Sequence, residues 1–103
     1  MTNIFRIFRP ELSSSTMTLY NKEVRILKSN FDEEDEIDLL FSIIDLSLDK
    51  MNLKDLLEGT TTKSQRQVRL AVLRNLLDIF DSQVTAKDYE MMDLLILEER
   101  FKN

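Results

Sequence analysis

Two stretches of this 103-residue chain carry residue types that could do chemistry: Glu58 to Arg69, read as EGTTTKSQRQVR, and the acidic run FDEEDEID from Phe31 to Asp38. In the first, Gly59, three threonines, Lys63 and Ser64 have the composition of a phosphate-binding loop. A Walker-type loop, however, places four residues between two glycines, puts the second glycine directly before the lysine, and follows a strand. Here the spacing is GTTTKS, the second glycine is missing and the preceding pattern is helical. What survives is a helix start with free N–H groups, threonine hydroxyls and three cations, Lys63, Arg66 and Arg69. Such an end can hold a phosphate or an acidic peptide segment. The competing reading, which the composition favours, is that these bases neutralise the acidic first helix.

The acidic run invites a calcium reading. An EF-hand loop counted from Asp32 needs glycine at its sixth place and glutamate at its twelfth, and Ile37 and Ile43 stand there. Paired carboxylates also serve as acid and base in glycoside hydrolysis, but nothing in the pattern sets two of them across a cleft. A solvated helix start accounts for them. The chain has no histidine and no cysteine. This removes imidazole acid/base catalysis, serine triads, histidine or thiolate metal sites and disulfides. The expectation is therefore a non-enzymatic protein without metal or cofactor.

The elements that position these residues are helices. One glycine and one proline, Gly59 and Pro10, with 43% apolar and 32% charged residues, describe a globular chain poor in turns. The first helix is expected from an Asp32 N-cap through Leu57, with Ile37, Leu40, Phe41, Ile44, Leu48 and Met51 in one stripe and Leu39, Ile43, Leu46, Leu53 and Leu57 in another. Gly59 ends it. The second begins near Thr62 or Ser64 and runs to Phe80, with apolar residues on two faces. The third follows Thr85 and Asp88, which have the spacing of a capping box, and carries Tyr89, Met92, Leu94, Leu95, Ile96, Leu97 and Phe101. Met91 and Met92 read as adaptable core filling. Residues 16–28 fit helical spacing, but threonine and β-branched content favour a short β-hairpin near residues 16–27, turning at Asn21 and Lys22.

The expected fold is mainly α: a compact domain of about three helices over residues 16–103, preceded by a basic N-terminal arm over residues 1–15. Charge alternates in blocks, +3 over residues 1–30, −8 over 31–58, +3 over 59–80 and −3 over 81–103, for a net −5. Alternation suits elements of opposite sign lying side by side, not one field for gripping DNA. Two helices with apolar residues on several faces need more cover than three helices supply. Hence the expectation of a protein-interaction module, a small homo-oligomeric regulator or accessory protein binding another protein and itself, with Leu39, Ile43 and Leu46 as the interface.

The alternative is a nucleic-acid-associated or structural protein using the basic second helix. Ile4, Phe5, Ile7 and Phe8 among arginines also fit membrane contact through residues 1–10 or an organelle transit segment. Leu39, Ile43, Leu46 and Leu48 have the spacing of a nuclear export signal, which any amphipathic helix of this composition matches. The expected setting is intracellular and cytoplasmic, with organelle targeting or nuclear shuttling as alternatives.

Overall fold

A computed structural model of the chain describes residues 4–44 and 57–101. These form five α-helices: α1 (Ile4–Phe8), α2 (Ser14–Asn30), α3 (Glu36–Ile43), α4 (Lys63–Ile79) and α5 (Ala86–Arg100), with a single 3₁₀ turn, Asp81–Gln83, between the last two. The mainly helical expectation holds, and the count of three does not.

The hairpin expected near residues 16–27 is a helix, α2. Strand propensity is a weak prior that tertiary context overrides, and here two things override it. Ser13 caps the start by accepting a hydrogen bond from the Thr16 N–H at 3.2 Å. The helical period then gathers Glu23, Val24 and Leu27, all buried, on one face. The Asn21-Lys22 pair, without glycine, offers no competing turn of the favoured type.

The expected N-cap of the acidic helix moves from Asp32 to Asp35, whose carboxylate accepts from the Ile37 N–H at 2.8 Å. Asp32 instead adopts a left-handed backbone at φ 54°. It turns the chain between α2 and α3, a conformation that aspartate tolerates better than most side chains. The rest of the acidic run serves the same corner: Glu36 pairs with Lys28 of α2 at 2.8 Å and Glu33 accepts from the Ser42 hydroxyl at 2.8 Å.

Gly59 sits at φ +87°, the left-handed region that a C-capping glycine occupies. Thr60 turns back to the Leu57 carbonyl, and Thr62 then caps α4 by accepting from the Gln65 N–H at 3.2 Å. The capping box of α5 forms as its spacing foretells: Thr85 Oγ1 accepts from the Asp88 N–H, and Asp88 accepts from the Thr85 N–H.

α4 is the central element, packed against α2 and α5, while α2 also carries α1 and α3. Its Leu70, Val72, Leu73, Leu76 and Leu77 are buried, and they meet Val24 and Leu27 of α2, Leu39, Leu40 and Ile43 of α3, and Met92 and Leu95 of α5 in one core. Ile4 and Phe5 belong to that core too. The expected arm thus contains a short docked helix. Phe5 is fully buried and meets the Tyr20 ring edge-on, with centroids 5.4 Å apart. Arg9 follows it, donating to Asn75 of α4 and pairing with Glu11 at 2.6 Å.

Candidate interaction surface

The three cations expected at the basic helix start point in different directions and are employed within the chain. Arg69 is buried, and its Nε donates to Glu23 Oε2 of α2 at 2.5 Å while Nη1 donates to the Glu58 carbonyl at 3.0 Å. Arg66 Nε donates to Glu99 Oε1 of α5 at 2.5 Å. Lys63 donates to the Arg100 carbonyl at 3.3 Å, a cation placed on the negative end of α5. The candidate contact residues Lys63, Arg66 and Arg69 thus each have a partner within the chain, and the helical period turns Arg69 inward. Neutralisation within the chain is the reading that the geometry supports, with Glu23 and Glu99 as partners among the described residues.

The residues expected as an interface on the acidic helix are only partly described. Leu39 and Ile43 are fully buried inside the single chain, and Leu46 lies outside the described residues. Both stripes contribute to the core, since Leu40 of the other stripe is buried beside them, while Phe41 of that stripe is 41% exposed. The period alone cannot say which of two apolar faces meets the core, because both satisfy it.

Among the described residues, exposed large apolar side chains occur on α1 (Ile7, Phe8), α2 (Leu19) and α3 (Phe41), and three of them gather on α5 and its C-cap. Met92, Leu95 and Glu99 face inward and are buried, whereas Leu94, Leu97 and Phe101 are 52%, 46% and 81% exposed. At about 100° per residue the outer three lie within about 60° of each other and about 160° from the inner three. This is an apolar stripe of its own, on the side of the helix away from the core. Comparison with family models, curated proteins and solved structures finds no match for the chain.

Beside the stripe, a cleft of about 320 Å³ opens between α4 and α5, floored by Leu70, Ala71 and Ile96 and rimmed by Gln67 and Arg100. Arg74 and Asn75 also line it, but both are held in place: Arg74 by Asp78 at 2.6 Å and Asp93 at 3.1 Å, Asn75 by Arg9 and the Ala71 carbonyl. The guanidinium of Arg74 lies 4.4 Å from the centroid of the Tyr89 ring, a cation–π contact. Burial would lower the Arg74 pKa, but the two carboxylates more than offset it and raise it overall. Among the described residues no group of acidic side chains is arranged to hold a metal ion, and no helix is long and apolar enough to cross a membrane.

Tyr89 closes the α4–α5 connection. Its hydroxyl lies 2.5 Å from Asp81 Oδ1 and 3.0 Å from the Leu77 carbonyl, two acceptors sharing one proton. Burial, then the Asp81 hydrogen bond and charge, push its pKa up to about 12. A folded-state value above the unfolded value of about 10 stabilises the fold fully below pH 10. That contribution is lost as pH rises through about 12. A phenolate absorbance titration should show a component near pH 12 that moves to lower pH in Asp81→Asn, and an unmoved component would contradict this account.

Proposed function

We propose that the protein is a non-enzymatic interaction module, a small regulator or accessory protein that binds another protein through the outer face of α5. The observation carrying this reading is that α5 is apolar on two opposite sides and that, among the described residues, one side is buried while Leu94, Leu97 and Phe101 on the other are exposed. Two leucines on the helix and a phenylalanine at its C-cap, at spacings of three and four, have the arrangement of anchors that helix-in-groove recognition uses. Isolated exposed leucines need no explanation, but an aligned group including a phenylalanine 81% exposed does. Protein is favoured over nucleic acid because Arg66 and Arg69, the cations that phosphate recognition would use, are spent on internal carboxylates.

The test is capture by the immobilised chain from an extract of cells that express it, with Leu94→Asp/Leu97→Asp/Phe101→Asp as the comparison and Phe8→Asp, on α1, as a control for general stickiness. Partners should be retained by the native chain and the control and lost by the triple variant. The same proteins retained by all three would remove α5 from the reading.

A further inference from the structure

The charges flanking the α5 stripe specify what can lie on it. In a seven-residue repeat, Leu94 and Phe101 take the first position and Leu97 the fourth, so that Asp93 and Arg100 occupy one flank and Met91 and Glu98 the other. Asp93, Glu98 and Arg100 are exposed, and Arg100 has no ion pair among the described residues. When two such helices pair in parallel, the residue before the first position faces the fifth of the partner, which sets Asp93 against Glu98 twice. In antiparallel pairing each flank meets its own kind, which sets Asp93 against Arg100 twice. The same stripe is thus repulsive in one orientation and complementary in the other.

Resting on the interaction-module reading, and naming its partner, we propose that the outer face of α5 pairs with α5 of a second copy of this chain, antiparallel about a two-fold axis, with Asp93 of each copy facing Arg100 of the other. A two-fold contact is self-complementary, so one stripe serves both copies and the contact closes without further growth. Asp93 already accepts from Arg74, and its side chain remains 55% exposed, which leaves room for a second cation. Three anchors per copy make a contact smaller than a standard interface, so association is weak, with a dissociation constant on the order of 100 μM.

Sedimentation equilibrium up to about 1 mM chain tests the pairing. The native protein should dimerise. Arg100→Asp, which leaves the Arg74 cluster intact, should weaken association about tenfold, since two attractive pairs become repulsive. Asp93→Arg, with its fold checked by circular dichroism, should do the same. An equimolar mixture of the two variants should associate as tightly as the native chain, because every facing pair is then of opposite sign. Strengthening by Asp93→Arg would mean a parallel arrangement and overturn the proposal, as would a mixture no tighter than its components. A native chain that stays monomeric throughout overturns self-pairing and leaves the capture experiment to decide whether a foreign protein occupies the face.

Discussion

Arg69→Met should cost the fold about 3–5 kcal/mol, the usual penalty for stranding one partner of a buried ion pair. The pair joins α2 to α4: Arg69 Nε and Glu23 Oε2 are 2.5 Å apart with both side chains almost wholly out of solvent. Removing the guanidinium leaves a buried carboxylate without its cation and the Glu58 carbonyl without the Nη1 hydrogen bond. Typical domains have 5–15 kcal/mol in total, so the variant should melt roughly 15 °C lower or fail to fold. The second arm of the experiment is Glu23→Leu/Arg69→Met. An apolar pair of similar volume lacks the desolvation cost, so the double variant should recover most of the loss and exceed both single variants in stability. Were Arg69 a surface contact for an anion, the single change would cost no more than about 1 kcal/mol. That small a loss would return the residue to the ligand-binding reading.

The helix termini were readable from single residues because capping is local chemistry. Thr85 and Asp88 satisfy each other's N–H groups whatever lies beyond, and Thr62 and Gly59 each act within one turn. The register of α2 was not readable in that way. Its threonines and β-branched residues describe a strand by propensity, and what makes it a helix is a neighbour distant in sequence: Glu23 faces Arg69 only if Glu23, Val24 and Leu27 share one side. Tertiary contacts decide such segments. Asp32 misled for a related reason, since several acids in succession can each cap a helix, and the choice of Asp35 is set by the turn that Asp32 itself makes.

The surface was harder to read than the core. Apolar periodicity states that a face is buried without stating by what, and Leu39 and Ile43 turned out to be covered by their own chain. On α5 the signal was present but blended, since Met92, Leu94, Leu95, Ile96 and Leu97 run almost continuously and conceal two stripes on opposite sides. Only the position of α4 separates them: Leu95 falls within the shared core and Leu94 and Leu97 fall outside it. For the cations at the start of α4 the missing information was again long-range, because Glu23 and Glu99 lie far from them in sequence. Block charge did anticipate that opposite signs would meet; it did not say which.

Phe5→Ala should cost about 3–5 kcal/mol, the loss expected when a fully buried phenylalanine is truncated. The first residues of a domain are poorly ordered unless something ties them down, and a basic segment ahead of the main helices has the composition of a dispensable arm. Phe5 is what ties this one down: its ring is fully buried and lies edge-on to Tyr20 of α2, with Ile4 beside it in the same core. Arg9 adds a polar anchor by donating to Asn75 of α4. Truncation to alanine opens a cavity of several methylene equivalents between α1 and α2, and α1, with only five residues, has too few hydrogen bonds of its own to persist once undocked. Denaturant unfolding monitored by circular dichroism would register the loss as a lower midpoint. Ile7→Ser and Phe8→Ser provide the contrast, since both side chains are more than half exposed and their replacement should shift stability by no more than about 0.5 kcal/mol. If Phe5→Ala unfolded at the same denaturant concentration as the native chain, the segment would be an arm after all, resting on the domain without contributing to it.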